Sequence, residues 1–286
     1  MKRWTSVSPT NEEHRWTVLS RLLKEAGVEN EYVKWDGPTR EFADISVLDG
    51  FDHVRLSTSV GPKVLALLKV RSTWATLIGV IDGMVNTNGV WWPLCALYES
   101  YGQILVRVGK DMDKRGSVLV AGAGGVARTA IAAFFRAGFK NFLLTNLDVE
   151  EAGATIEEVN RKLFGLAIEW VPTEKIVLLP GECAALVNCT PSIDENPLLR
   201  ELSYLNFLKR PGFLFDSSRH QKASILMEEA VESEVTVING IEIGARTDVL
   251  WAKWAFGVDL DLDSYTKEFQ ANLEPTEKPA EPPTTA

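Results

Sequence analysis

Cysteine and histidine are scarce in this chain, and so is the chemistry they would build. The three cysteines among 286 residues, Cys95, Cys183 and Cys189, are odd in number and lack C-x-x-C spacing, which argues against a disulfide framework or a thiolate metal site. His14, His53 and His220 are scattered and offer no metal-ligand spacing. Long apolar runs are missing too: no stretch reaches the roughly 18 residues needed to span a bilayer. The opening MKRWTSVSPTNEEHRW is basic for three residues and then polar, without the apolar centre of a signal peptide. Positive charge is in deficit, 30 Lys and Arg against 39 Asp and Glu, which argues against nucleic acid or an anionic membrane as the main partner. The expectation left is a cytoplasmic globular protein, monomer or homodimer, whose partner is a small molecule.

What is present is core-forming periodicity. Residues 11–26 set Trp16, Leu19, Leu22 and Leu23 on one helical face, stopped by Gly27. EYVKW (31–35) and DHVRLST (52–58) suit short strands, and Gly61-Pro62 opens an apolar helix. Pro93 fits the first helical position of PLCALYESY, with Gly102 as its end. From Ser117 strands and helices alternate: SVLVAG, VARTAIAAFFRAG, NFLLTN, VEEAGATIEEVNRKLFG, then strands AIEWVP, CAALVNCTP, GFLFDSS and VTVING. Unbroken apolar strands between helices predict an α/β fold with a Rossmann-type doubly wound parallel sheet. A last helix runs from about Ile243 to Phe256 and ends at Gly257. The stretch 273–286, with EPTEKPAEPPTTA, is rich in Pro and Glu and reads as a disordered tail.

The strand SVLVA meets the helix VARTAI through Gly122, Ala123, Gly124 and Gly125, followed by Val126 and Ala127. Gly122 allows a tight turn, and the next glycines let backbone N–H groups approach a diphosphate that also faces the positive helix end. Ala127 replaces the third glycine of the usual pattern. About twenty residues on, the second strand ends in Asn146, Leu147 and Asp148, then Glu150 and Glu151. An NADP site needs a cation there for the 2′-phosphate, so the absence of Arg or Lys favours NAD over NADP. Asp148 also suits the N-cap of the following helix.

Taken together, GAGGVART, TNLDVEEA, VNCTP (187–191) and the late NGIEIGARTDVLWAKWAFG resemble the shikimate and quinate dehydrogenases. TSVSP (5–9) is similar to that family's H-S-x-S-P segment, and DGMVNT (82–87) to its I-G-A-V-N-T. The resemblance spans residues 4 to about 260. It implies a smaller α/β substrate domain, residues 1–106 completed by 238–272, and a nucleotide domain, 107–237, with the active site in the cleft between them. It implies that Ser6 and Ser8 hold a substrate carboxylate and that Asn86 binds a ring hydroxyl. Asn188, Cys189 and Thr190 would lie beside the nicotinamide, with Gly240 at the start of the returning helix. The family's N-R-T-x-x-R-A arginines fall on Leu147 and Glu151, which again favours NAD.

The departures fall on the chemistry. Aligned on the following helix, NGVWWP puts Val90 where the family has its catalytic aspartate, with Asn88 the nearest polar side chain. Lys63 is the candidate for the catalytic lysine, displaced by about two residues. A family tyrosine is replaced by Arg219, and a glutamine of the last helix by Thr247, beside Arg246; either arginine suits a second carboxylate. The resemblance therefore implies an NAD(P)-dependent oxidoreductase of a cyclic hydroxy acid with altered substrate. The alternative is a catalytically impaired relative that senses a ligand and regulates a partner.

Overall fold

The structure, a computed structural model, describes residues 1–273 except 11, 40, 41, 43, 192–195 and 220–222. The expected disordered tail therefore lies outside the described residues from 274 onward. Two sheets organise the rest. The first contains β1 (Lys2–Val7), β2 (Asn30–Tyr32), β3 (His53–Leu56), β4 (Gly83–Thr87) and β5 (Val90–Leu94), in the order β2-β1-β3-β4-β5. The β1, β2 and β3 strands run parallel, and β4 and β5 return antiparallel. Trp4 on β1 is fully buried beneath α1 (Glu13–Glu25), with Trp16, Leu19 and Leu23 around it. On the other face, α2 (Gly61–Leu67) and α3 (Thr73–Ile78) cover Val7, Val54, Leu56 and Met84.

The α4 helix (Ala96–Val108) leads into the second sheet, formed by β6 (Ser117–Ala121), β7 (Asn141–Thr145), β8 (Ala167–Trp170), β9 (Cys183–Asn188), β10 (Leu208–Asp216) and β11 (Thr236–Ile238). Its order is β11-β10-β9-β6-β7-β8 and every pairing is parallel. Val118 and Val120 face one core while Leu119 and Ala121 face the other, so a strand buried on both sides reads as an unbroken apolar run. The crossovers are α5 (Gly125–Arg136), α6 (Val149–Lys162), α7 (Pro197–Leu202) and α8 (Ile225–Glu232). The chain then returns to the first sheet through α9 (Gly240–Phe256) and α10 (Leu262–Ala271). Trp251 of α9 lies so close to β4 that a Cβ at Gly83 would meet its Nε1 at 2.5 Å.

Three local expectations are corrected. Pro93 does not open a helix. It lies in β5, an edge strand, where its missing N–H leaves no gap in the ladder. Helix α4 starts at Ala96 and runs through Gly102 to Val108, because Tyr98, Tyr101, Ile104 and Leu105 bury one continuous face. Asn88 and Gly89, both left-handed at φ 54° and 79°, form a two-residue hairpin turn, which puts Val90 opposite Thr87 on an exposed strand. Strand β1 and helix α10 were not anticipated.

His53 is buried and packs its ring edge-on against Phe256 at 4.6 Å. Burial, helped by Lys2, pushes its pKa down from 6.5 to about 4. The unfolded chain thus takes up a proton that the folded chain refuses, so stability falls as the pH falls through that window. Urea unfolding is expected to show a loss of about 2 to 3 kcal/mol from this group between about pH 7.5 and 4.5. His53→Leu should lose that share of the slope; an unchanged slope would place the titration elsewhere.

Candidate active site

The second sheet reverses its strand order between β6 and β9, and the crevice beyond their carboxyl ends is where such sheets take ligands. Gly122 turns there at φ +103°, and a Cβ on it would stand 3.3 Å from Cys189. Gly124 caps α5 in extended conformation and has open space where a Cβ would project. No side chain caps α5, whereas Asp148, Asn196, Ser224, Asn239 and Asp261 cap the first turns of α6 to α10. The amides of the first α5 turn are left for an anion, and the donor set and the space fit the diphosphate of a dinucleotide. Ala123 and Ala127 are buried beneath the turn, and Val126 is half-buried at its edge.

At the end of β7, Asp148 accepts from the amides of Glu150 and Glu151, so the capping role is present. The Asn146 amide donates to the Asp148 carbonyl and to Glu151, and Leu147 is exposed. Arg128, on the first α5 turns, is paired with Glu158. Across the crevice, the Asn188 side chain donates to Asp216 at 3.2 Å and accepts from the Thr190 amide and hydroxyl. The Ser218 hydroxyl donates to the Thr190 carbonyl at 3.1 Å, which ties the two loops together. Burial pushes the Cys189 thiol up to about 12, so it is not a nucleophile at neutral pH.

Between the two sheets lies a cavity of about 230 Å³. Ser6, Ser8, Arg219, Gly240 and Thr247 line it, together with Val126 from the first turn of α5. A neighbouring space of about 440 Å³ shares Val126 and Arg219 and adds Cys189 and Thr190. The structure thus brings five residues carried over for the substrate or the returning helix into one wall, beside the glycine turn.

The strongest electrostatics there belong to residues the sequence reading did not single out. Arg15 on α1 meets Asp248 on α9 through two hydrogen bonds of 2.6 Å, with side chains 8 % and 0 % exposed. Burial opposes the Arg15 charge, but Asp248 and Glu12 outweigh it and raise its pKa. Asp82 precedes β4, is buried, and lines the cavity. Its carboxylate accepts the amides of Ala96, at 2.8 Å, and Leu97 at the start of α4. Burial pushes its pKa up, against the pull of Arg55 and of those amides. Arg55 of β3 stands beside it, buried in the cavity wall. The available signals were a lone charge in each of two apolar stretches, HVRL and VIDGM.

Other anticipated residues lie elsewhere. The Asn86 side chain accepts from the Gly89 amide at 2.9 Å and braces the hairpin turn, outside the cavity lining. Lys63 is exposed on α2 and does not line the cavity. Val90 is on the exposed edge strand; Leu97, at the start of α4, is the residue that faces the cavity from that region. Arg246 pairs with Glu242 and reaches Gln103, and it also lies outside the lining. The Thr247 hydroxyl, within the lining, donates to the Ile243 carbonyl.

No family model matches the chain. It is 34 % identical over 194 residues to the NADP(+) shikimate dehydrogenase of Dictyoglomus turgidum, a match covering 67 % of each chain. It is 27 % identical over 240 residues to the NADP(+) shikimate dehydrogenase of Pyrobaculum aerophilum, covering 80 % of this chain and 84 % of the relative. Among solved structures, the quinate dehydrogenase from Corynebacterium glutamicum in complex with NAD superposes with a TM-score of 0.81 at 18 % identity, over 95 % of this chain and 99 % of the other. The shikimate 5-dehydrogenase from Thermus thermophilus in complex with NADP(H) and shikimate gives 0.76 at 23 % identity, over 96 % and 100 %. At these identities the superpositions speak for the fold.

The open position at Gly124 gives a direct test. Gly124→Asp adds a carboxylate where the backbone already suits a helix cap, so thermal stability should hold or rise. The same charge should weaken NADH binding by about tenfold or more in a fluorescence titration. Unaltered NADH affinity would remove the α5 amides as the diphosphate site.

Proposed function

This chain belongs to the shikimate dehydrogenase family, and we propose that it is an NAD-dependent oxidoreductase acting on a cyclic hydroxy acid other than shikimate itself. The coarser statement, a shikimate/quinate dehydrogenase-like oxidoreductase, rests on descent. One observation supports placing cofactor and substrate side by side. Val126 belongs to the uncapped first turn of α5 and also forms part of the wall shared with Ser6, Arg55 and Asp82. A dinucleotide held at those amides is therefore adjacent to buried polar groups suited to a small acid.

Gly122, Gly124 and Gly125 would hold the diphosphate, Asn146 and Asp148 the adenosine ribose, and the 188–190 loop would flank the nicotinamide. When bound, NAD would supply the two-electron acceptor for the hydroxyl-bearing carbon. Asn146, Leu147, Asp148, Glu150 and Glu151 provide no cation for a 2′-phosphate, which supports NAD even though the curated relatives are NADP(+) enzymes. Leu147→Arg combined with Asp148→Thr should move the ratio of kcat/KM values toward NADP by about tenfold, with Thr keeping a capping hydroxyl. No movement would remove this segment from cofactor selection.

Oxidising a hydroxyl also requires somewhere for its proton to go. Glu12 and Asp248 are committed to arginines by close contacts. We assign the proton to Asp82, which lines the cavity and whose burial favours its protonated form over that of an exposed carboxylate. The hairpin turn carries Val90 away from the cleft, and Asp82, just before β4, would supply the carboxylate there. Asp82→Asn should lower kcat by about 10² to 10⁴ and alter the acid side of the pH profile, with NADH binding retained. A variant that keeps the wild-type kcat and pH profile would exclude Asp82 as the acceptor.

A further inference from the structure

Three arginines line the substrate cavity, and they are not equally satisfied. Arg15 holds Asp248 in bidentate fashion and also reaches Glu12 at 3.1 Å. Arg219 is paired with Glu12. Arg55 is only 6 % exposed, yet its carboxylate neighbours stand off: Asp82 at 3.7 Å and Asp248 at 3.6 Å, both beyond hydrogen-bonding distance. Its Nη1 donates to the main-chain carbonyls of Asp82 and, at 3.5 Å, Leu56, and its buried Nε has no partner among the described residues.

A buried N–H of a charged group carries a desolvation cost that an acceptor would remove. Both carboxylates nearest the Arg55 guanidinium stand beyond hydrogen-bonding distance, and the residue forms part of the cavity wall. An oxygen of whatever fills the cavity would give the guanidinium the close acceptor that these carboxylates do not. Ser6 is the register partner of Arg55 across the parallel β1 and β3 strands, so a hydroxyl and a guanidinium stand side by side on one face. The Ser8 hydroxyl is engaged with that of Thr10 at 2.9 Å.

We propose that Arg55 is the specificity-determining cation of the cleft: its guanidinium, with Ser6 beside it, receives the carboxylate of the substrate. The assignment rests on the reading of this cavity as the substrate site. It makes charge on the ligand a requirement, so the cleft takes a cyclic hydroxy acid and rejects the corresponding neutral ester. It also limits the anion. Glu12, Asp82 and Asp248 already balance the three arginines, and a phosphate dianion would face those carboxylates with twice the charge of a single carboxylate.

The test compares shikimate and quinate with their methyl esters by calorimetric titration, alongside an NADH fluorescence titration of the same protein. The wild type should bind at least one acid about tenfold or more tightly than its ester, as expected for a charge-assisted hydrogen bond. Arg55→Gln should bring that ratio close to one while NADH affinity stays unchanged. If Arg55→Gln does not fold, Arg55→Gln with Asp82→Asn removes both charges of the pair and should show the same collapse. The proposal is overturned if the folded variant keeps the acid-to-ester ratio, if the wild type binds acid and ester alike, or if neither acid binds a protein that binds NADH. Failure of NADH to bind would instead strike the dinucleotide reading, and the acid-to-ester ratio would still decide Arg55.

Discussion

Arg15 and Asp248 are 233 positions apart in the chain and meet through paired 2.6 Å hydrogen bonds inside the protein. That contact ties the first helix to the helix that returns from the second sheet. Tyr265 donates to the same carboxylate at 2.8 Å and brings in α10, while the Arg15 guanidinium lies over the rings of Trp16 and Phe269. Two charges withdrawn from water in this way tolerate no loss of one partner, which typically costs about 3 to 5 kcal/mol. The pair also shapes the cavity beside it. With both Asp248 oxygens turned to Arg15, Arg55 is left with attraction at a distance and an unfilled donor.

The cleft exists because two sheets present their carboxyl edges to each other across a few rigid contacts. Gly125 is one of them: a Cβ there would stand 2.3 Å from the carbonyl of Thr58, in the loop after β3. Tyr101 of α4 meets Ser217 at 2.7 Å at the end of β10. These contacts set the glycine turn against the wall that carries Ser6 and Arg55. The strand-order reversal, where such sheets take ligands, therefore opens onto polar groups supplied by a different sheet.

Much of the nucleotide half was legible. Its central strands β6 and β9 are buried along their length and α5 is followed by Gly138, so apolar runs and a stop mark these elements. The glycine turn was visible for the same local reason. The substrate half was harder. The β1 strand reads as polar because its first residues, Lys2 and Arg3, are exposed, though Trp4, Thr5, Ser6 and Val7 are buried. The Asn88-Gly89 turn shortened the hairpin, moved the start of α4 and carried Val90 away from the cleft. Asn86 kept its place in the motif and spent its side chain on that turn.

The sequence by itself determined the α/β class, the doubly wound sheet, the uncapped glycine turn and the lack of a cation after β7, since each depends on neighbours within a few residues. Only the tertiary structure decided which charges share the cavity. Arg15, Arg55, Asp82 and Asp248 come from four elements spread over the chain, and no local pattern records that they meet. Whether a buried charge is saturated or still needs an acceptor depends on distances of a few tenths of an ångström, which the packing of α1, β3, α4 and α9 sets.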